Sequence, residues 1–227
     1  MPNSNDARIE SNRSPSYSIR ADGIGEAWIA VCQQIVQHGA GGTYDGLAMR
    51  ELLMVTLTIT HPRGSDRLIE RWGEPERLAW MKSNFTELTA VEALGDADSY
   101  ATRLRDYEHA GRDQVRWVIE RLLGDPSTRS ATITTLQPLS DASYIPCVSL
   151  LDFFLVHGRL QLAVYAHSID FGTKGFANLV ELARLQEEVA RAVDSGIGPL
   201  TMIVKSAHVY STELDHVQWL LTESPPD

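Results

Sequence analysis

The stretch "DASYIPCVSLLDFFLVHGRL", residues 141–160, places Cys147 directly after a proline and directly before an apolar run. Most free cysteines act as small buried hydrophobic residues, but a cysteine thiolate is also a strong nucleophile that forms covalent intermediates. Cys147 is therefore either core packing or a nucleophile at the beginning of a strand. The other cysteine, Cys32, falls on the apolar stripe of a helical pattern and is assigned to the core.

Polar residues that could work with such a nucleophile follow the cysteine along the chain. "HSID" contains His167, Ser168 and Asp170, and "SAHVY" contains His208 and Tyr210. His208 and Tyr210 are two residues apart in a predicted strand, so their side chains share one face. Taken alone, this pair could equally be ordinary strand residues.

Spacing disfavours two other kinds of chemistry. A zinc site formed by Cys147, His157, His167 and His208 lacks a close ligand pair such as C-x-x-C. A serine hydrolase of the α/β type requires a G-x-S-x-G turn, and the sequence contains none.

Length and composition are those of an ordinary globular protein. The 227 residues are 43% hydrophobic and carry a formal net charge of −10. The negative charge argues against non-specific nucleic-acid binding, which depends on cations that neutralise phosphates. No apolar run approaches the roughly 20 residues of a membrane span, and two cysteines are too few for a disulfide scaffold. We therefore expect a cytoplasmic protein that binds neither nucleic acid nor membranes.

The hydrophobic patterns predict an α+β fold, with a mixed β-sheet covered by helices in a single domain over residues 21–227. The polar segment 1–20 is predicted to be a disordered tail. Strands are predicted in "RELLMVTLTITHP", "SATITTLQP", "SLLDFFLV", "RLQLAVYAHS" and "LTMIVKSAHVY". In the first of these, alternation puts Leu53, Val55, Leu57 and Ile59 on the buried face. Helices are predicted in "GIGEAWIAVCQQIVQHG", around 76–81 and 87–94, in "RDQVRWVIERLLGDP" and in "FANLVELARLQEEVARAV".

From Arg105 to Tyr210 the chain resembles the thymidylate synthase superfamily, especially its short, archaeal-type branch. "DQVRWVIERLLGDPSTRS" is similar to the family's Asp-Gln helix and to the following loop of phosphate-binding arginines. "IPC" is similar to its Pro-Pro-Cys, "HSID" to its Arg-Ser-x-Asp, and "SAHVY" to its His-x-Tyr. Asn178 lies at the family's spacing from Asp170. Each motif is weak alone, but together they occur in the family's order.

The resemblance implies a thymidylate synthase-like fold and a folate-dependent one-carbon transfer to C5 of a pyrimidine nucleoside monophosphate. C5 is a poor nucleophile until a thiolate adds at C6, and a cysteine thiolate can add there and later leave. Cys147 would form this Cys–C6 adduct, and 5,10-methylenetetrahydrofolate would supply the one-carbon unit. The family also implies a homodimer packed sheet to sheet, in which Arg129 of one subunit would bind phosphate and stabilise the thiolate in the other.

The same resemblance implies roles for further candidate residues. Asn178 would form paired hydrogen bonds with the pyrimidine edge, although an asparagine there could instead belong only to the helix start. Asp170, counted among the catalytic residues, would bind the pterin of the folate. His208 and Tyr210 would hold the sugar hydroxyl.

The phosphate site departs from the family's pattern. Ser168 would donate to the phosphate, and His167 stands beside it where the family has an arginine. The usual arginine pair is replaced by Arg129–Ser130. With fewer cations, the phosphate would be held more weakly or by other arginines, such as Arg103 or Arg105.

The sequence assigns no residue to the family's catalytic glutamate. Glu51 lies in a predicted strand, and the other candidates, Glu74, Glu76 and Glu87, lie in a poorly matched region. An inactive homologue that only binds a nucleotide is therefore one alternative.

Two features bear on the product. "TLQP" stands where many members have Ala-Trp-Asn-Pro, and the last residues, "WLLTESPPD", are polar and proline-rich rather than apolar. Methylation requires water to be kept from the reacting carbon. We therefore expect a C5-hydroxymethylase acting on CMP, dCMP or dUMP, of the kind found in modified-nucleotide or nucleoside-antibiotic pathways. A dUMP-methylating thymidylate synthase would use the same binding residues.

Overall fold

A computed structural model describes residues 17–141 and 144–223 of the chain. The strands are β1 (Ser18–Ala21), β2 (Ala40–Tyr44), β3 (Leu47–Ile59), β4 (Ala90–Val91), β5 (Ala97–Asp98), β6 (Thr132–Thr134), β7 (Val148–Val156), β8 (Arg159–Ala166), β9 (Ile169–Asp170) and β10 (Gly196–Tyr210). The α-helices are α1 (Ile24–His38), α2 (Arg67–Trp72), α3 (Pro75–Thr86), α4 (Tyr100–Arg105), α5 (Gln114–Gly124), α6 (Gly175–Ala192) and α7 (Leu214–Glu223).

The large sheet is mixed, and β10 lies near its centre. The strand order is β1-β3-β10-β8-β7-β6, with β2 added beside β3 and β9 beside β10. β10 runs antiparallel to β3 but parallel to β8 and β9. The predicted α+β fold with a mixed sheet is therefore confirmed.

Helices cover one face of this sheet. Apolar residues of α1 and α6, such as Trp28 and Phe176, are almost fully buried, and their rings lie 4.7 Å apart. The other face carries exposed apolar side chains. Ile203, Tyr165 and Leu150 are direct neighbours across β10, β8 and β7 and are 39%, 36% and 39% exposed. In a single chain, this row faces solvent.

The predicted alternation in β3 is wrong at Leu53. Met54 adopts a positive φ of 56°, which interrupts the regular alternation of the strand. Leu52 is consequently buried, whereas Leu53 is 57% exposed. Val55, Leu57 and Ile59 lie on the buried face as predicted.

Two other predictions differ from the structure. The segment 87–94 forms strand β4 and a short 3₁₀ turn rather than a helix, because its backbone pairs with the segment around Ser99. The hydroxyl of Ser99 donates to the Glu87 carbonyl (2.7 Å), which holds that segment extended. The predicted tail, residues 1–20, ends too late, since β1 begins at Ser18 and pairs with β3. Residues 1–16 of that tail lie outside the described residues.

Gln186 joins α6 to the sheet. It is fully buried, and its Nε2 donates to the carbonyls of Leu160 (2.9 Å) and Gly198 (3.0 Å). The substitution Gln186→Ala would leave both carbonyls unpaired, at a cost of about 2 kcal/mol in the free energy of unfolding. Urea unfolding measures this loss. Gln218→Ala, on the exposed side of α7, is the control and should change stability by less than about 0.5 kcal/mol. Equal losses would contradict this role.

Candidate active site

Cys147 lies immediately before β7, and both polar groups of the peptide unit that joins it to Val148 are hydrogen-bonded. The N–H of His167 donates to the Cys147 carbonyl (3.0 Å), and the N–H of Val148 donates to the hydroxyl of Tyr100 (3.0 Å). The cysteine is partly exposed, in contrast to Cys32, which is fully buried in the core. Cys147 is therefore not part of the closed core.

The surroundings of this thiol act on its ionisation in opposite directions. Burial raises the pKa of Cys147 above its ordinary value. The Tyr144 hydroxyl, 3.6 Å from Sγ, and the positive charge of Lys174 lower this pKa, while the negative charge of Asp170 raises it. Lys174 is itself held with its Nζ 5.4 Å from the centre of the Trp80 ring, a cation–π arrangement.

The histidine and tyrosine near the end of β10 lie together, as their spacing predicts. The His208 and Tyr210 rings meet edge to face with centroids 5.0 Å apart. His208 is 5% exposed, and its Nδ1 lies 3.4 Å from the Ser168 hydroxyl. Burial lowers the pKa of His208, which favours the neutral imidazole, and the charges of Asp170 and Glu51 partly oppose this effect.

Glu51 and Ser206 extend this polar cluster. The Ser206 hydroxyl donates to the Glu51 carboxylate and also lies 3.5 Å from Nδ1 of His208. In the sheet, His208 is paired with Glu51 on β3 and with Asp170 on β9. The sequence analysis gave Glu51 no role and did not single out Ser206. Their proximity arises from the pairing of β3 with β10, and a sequence does not reveal which strands pair.

The other glutamates considered from the sequence lie apart from this cluster. Glu74 pairs with Arg77 at 2.7 Å in the first turn of α3. Glu76 and Glu87 are exposed.

Asp170 and Asn178 lie on either side of the turn that leads into α6. The Asp170 carboxylate accepts hydrogen bonds from the Gly172 N–H (3.0 Å) and the Thr173 hydroxyl. Asn178 is 5% exposed and lies within α6, where its Nδ2 donates to the Lys174 carbonyl (3.1 Å). Its buried Oδ1 has no hydrogen-bond partner among the described residues. Buried polar atoms are normally paired, so this oxygen is suited to accept from a ligand.

The predicted phosphate residues are only partly brought together. His167 lies beside Ser168, and its Nδ1 is 3.3 Å from the Ser149 hydroxyl. Burial lowers the pKa of His167, and the nearby Lys205 lowers it further, so this histidine does not supply the positive charge of the arginine it replaces. Arg129 is exposed in the loop after α5, where it donates to a backbone carbonyl of the same loop. Among the described residues, none of its contacts links it to the thiol.

Arg103 and Arg105 have other partners. Arg103 is 2% exposed, forms an ion pair with the equally buried Asp141 (2.7 Å), and donates to the Thr135 carbonyl (2.9 Å). Arg105 pairs with Glu188 at 2.6 Å. The structure therefore does not support the expectation that these arginines replace the missing phosphate ligand.

Three side chains near the thiol were missed by sequence reasoning. Tyr144, Tyr100 and Lys174 contact Cys147 or its neighbours or act on its charge, yet none belongs to the motifs. Tyr144 had a local signal, since it lies within the same short stretch as the cysteine. Within residues 17–141 and 144–223, no three metal-binding side chains form a cluster. In the same ranges, every helix is too short or too polar to cross a membrane.

Comparison with known proteins identifies the family. The thymidylate synthase family model matches residues 48–227. A Methanosarcina acetivorans protein described as "Putative thymidylate synthase" is 34% identical over 208 residues, which cover 88% of this chain and 92% of that protein. A Methanothermobacter marburgensis protein with the same description is 30% identical over 210 residues, covering 86% and 93%. The chain belongs to the thymidylate synthase family. The match begins well before Arg105, where the motif resemblance starts.

Membership of the thymidylate synthase family identifies the chain as a transferase. The family binds pyrimidine nucleotides, generally uses methylenetetrahydrofolate and is typically dimeric. The partly exposed cysteine, the asparagine and the histidine–tyrosine pair of this thymidylate synthase homologue all lie within the matched region.

The buried Arg103–Asp141 pair anchors the segment before Cys147. Arg103→Ala leaves the Asp141 carboxylate buried without its partner, so we expect a loss of about 3–5 kcal/mol in the free energy of unfolding. Arg103→Met combined with Asp141→Leu removes both charges and should be less destabilising than Arg103→Ala alone. Arg105→Ala, which breaks a more exposed pair, serves as the control and should cost about 1 kcal/mol or less. Urea unfolding compares them, and a double variant that is destabilised as much as Arg103→Ala, or more, would contradict the coupling.

Proposed function

We propose that this chain transfers a one-carbon unit to C5 of a pyrimidine nucleoside monophosphate, with Cys147 as the nucleophile. The observation that carries the proposal is the partly exposed Cys147, whose thiol shares its surroundings with Asp170 and Tyr210. The family's substrate class agrees with this grouping. The roles below follow from the chemistry of each side chain.

The first step is addition of the Cys147 thiolate to C6. The sulfur–C6 bond forms, and the electron pair of the C5–C6 double bond moves toward C5 and the ring carbonyl. Asn178 would hold the ring, because its unpaired Oδ1 accepts an N–H and its Nδ2 has a second hydrogen beyond the one given to Lys174. An amide can serve uracil or cytosine in this way, so either base fits.

Asp170 is a suitable residue to hold the folate. Two hydrogen bonds from its own turn fix its carboxylate, and each carboxylate oxygen can accept more than one donor. A pterin ring presents N–H groups that match such an acceptor. When bound, 5,10-methylenetetrahydrofolate supplies the one-carbon unit.

The later steps regenerate the enzyme. After C5 has gained its new carbon, loss of the C5 proton supplies the electron pair that forms a double bond from C5 to this carbon, and the bond between this carbon and the folate nitrogen breaks. Addition of hydroxide from water, or of hydride from tetrahydrofolate, to this exocyclic carbon returns an electron pair to C5. That pair re-forms the C5–C6 double bond and expels the Cys147 thiolate. Ser168 would donate to the phosphate. His208 and Tyr210 would bind a sugar hydroxyl, since the neutral imidazole and the phenol can both donate and accept.

We propose hydroxymethylation of CMP, dCMP or dUMP as the overall reaction, with dUMP methylation as the second candidate. Leu136 occupies the position of the tryptophan found in many members, and it lines an open groove at β6. A smaller side chain excludes water less well, and water at the exocyclic carbon gives a hydroxymethyl group. Residues 224–227 of the polar end lie outside the described residues.

Tritium release from C5 and product mass test this proposal together. The chain should release tritium from C5-labelled CMP, dCMP or dUMP in the presence of methylenetetrahydrofolate, and Cys147→Ala should abolish release because no C6 adduct can form. Cys32→Ala, at a buried core position, is the control and should retain release. A product heavier by a hydroxymethyl group, formed without dihydrofolate, supports hydroxymethylation. A methyl product with dihydrofolate would contradict it, and no release from any nucleotide would favour the inactive homologue.

We further propose that the active unit is a homodimer in which Arg129 reaches the partner's site. Support comes from the exposed row Ile203, Tyr165 and Leu150, since such an apolar face is normally covered in solution. A groove of about 460 Å³ beside this row has Ser149 and His167 on its wall. Asp141 also lines this groove, which would accept an arginine from a second chain.

Complementation between subunits tests this arrangement. Light scattering should give about twice the 25.2 kDa of one chain, and Tyr165→Asp should give monomers, whereas Leu88→Asp, at a 63% exposed position outside the row, should not. Arg129→Ala and Cys147→Ala should each lack tritium release. When the two variants are mixed and allowed to exchange subunits, about a quarter of the activity should return, since half of the dimers then contain one complete site. No recovery on mixing would place Arg129 in its own subunit's site, and tritium release by Arg129→Ala alone would place it outside catalysis.

A further inference from the structure

Tyr144 is a side chain at the thiol to which neither the sequence motifs nor the proposed reaction gives a role. It precedes Cys147 by three residues, and its hydroxyl lies 3.6 Å from Sγ. This distance is within hydrogen-bonding range for sulfur, a large and diffuse acceptor. Asp141, three residues earlier, is fixed by its ion pair with Arg103 (2.7 Å).

Ionisation of the Cys147 thiol requires a hydrogen-bond donor beside the sulfur. Nucleophilic addition needs the thiolate, but burial of Cys147 raises its pKa and disfavours that form. Arg129 lies in an exposed loop, and its proposed place is the partner's site, so it supplies no charge to the thiol of its own subunit. The ammonium of Lys174 helps, and the nearby Asp170 carboxylate opposes it. Within one subunit the net charge near the sulfur is therefore small, which leaves hydrogen bonding as the main means by which that subunit stabilises the thiolate.

We propose that the Tyr144 hydroxyl donates a hydrogen bond to the Cys147 thiolate and is the main residue of its own subunit that favours formation of this nucleophile. This role rests on the proposed function of Cys147. Because Tyr144 touches the reacting sulfur, it is a catalytic residue in this account.

The chemistry of the two groups sets the direction of the hydrogen bond. Burial and the neighbouring thiol raise the pKa of Tyr144, so its hydroxyl remains protonated at any pH at which the enzyme works. A phenol is a good donor, whereas a neutral thiol is a weak acceptor, so the bond is strongest when sulfur carries the negative charge. The same bond that favours ionisation of Cys147 therefore disfavours ionisation of Tyr144.

The other nearby tyrosine cannot easily substitute for Tyr144. The oxygen of Tyr100 accepts the Val148 N–H at 3.0 Å, which ties that hydroxyl to the backbone beside Cys147. Burial also raises the pKa of Tyr100. The titratable and charged groups whose charges interact with the thiol are Tyr144, Tyr100, Lys174, Asp170 and Tyr210.

The test is the pH dependence of Cys147 alkylation in the full-length chain. Iodoacetamide is applied to wild type and Tyr144→Phe from neutral to alkaline pH, and mass spectrometry separates labelling of Cys147 from that of buried Cys32. Loss of one hydrogen bond to a charged group should raise the midpoint by about one pH unit and lower the rate at neutral pH about tenfold. At high pH the variant should react at least as fast as wild type, because a thiolate of higher pKa is more nucleophilic.

Tyr107→Phe is the matched control. The Tyr107 hydroxyl donates to the Leu136 carbonyl at 2.8 Å, so this variant loosens the loop that precedes Tyr144 without touching the sulfur. Its alkylation midpoint should equal that of wild type. Unchanged Cys32 labelling in all proteins shows that the fold is intact. An unchanged midpoint in Tyr144→Phe, or an equal shift in Tyr107→Phe, would overturn the proposal.

The alkylation experiment tests the role of Tyr144 separately from the proposed one-carbon transfer. If wild type releases no tritium from C5 but Tyr144→Phe raises the midpoint, the hydrogen bond stands and the proposed reaction fails. If wild type releases tritium and the midpoint does not move, the reaction stands and the role of Tyr144 fails. If both hold, tritium release by Tyr144→Phe should fall about tenfold at neutral pH and recover as the pH rises.

Discussion

The burial of one sulfur is the constraint on which the rest of the site depends. Burial raises the pKa of Cys147, whereas addition to a pyrimidine requires its thiolate. The Tyr144 hydroxyl and the charge of Lys174 partly oppose the effect of burial on this pKa, and hydrogen bonds hold the backbone at the cysteine in place. His167 and Tyr100 bind the two ends of the peptide unit between Cys147 and Val148, and Asp141, six residues before the cysteine, is fixed by its buried pair with Arg103. The nucleophile is therefore positioned before any substrate arrives.

Strand β10 positions the remaining polar groups of the candidate site. It pairs with β3 on one side and with β9 on the other, and this double pairing sets His208 between Glu51 and Asp170. The two carboxylates partly counter the effect of burial on the imidazole, while Ser206 links Glu51 to the histidine. A shift of β10 by one residue would turn His208 toward the other face of the sheet, so the sheet register determines the site.

Sequence patterns could predict secondary-structure elements with a regular hydrophobic repeat and short motifs of neighbouring residues. The helical spacing that contains Cys32 and the alternation through Val55, Leu57 and Ile59 identified elements correctly, and ordered motifs identified the family. Leu53 was misplaced because the positive φ of Met54 leaves no signal in side-chain type. Such patterns also do not predict which residue a charged side chain pairs with. Nothing in the sequence around an arginine identifies the carboxylate that pairs with it. A site shared between two subunits also contains residues of the second subunit, and a single sequence does not show where that subunit lies.

Trapping the covalent adduct tests the central claim most directly. Fluorine at C5 cannot leave as a cation, so a 5-fluoropyrimidine nucleotide should stop the reaction while sulfur is still bonded to C6. Incubated with methylenetetrahydrofolate and the 5-fluoro analogues of CMP, dCMP, UMP and dUMP, the chain should gain the mass of one nucleotide and one folate. Peptide mapping should place this mass on Cys147. No adduct with any analogue, or an adduct that persists in Cys147→Ala, would contradict the account.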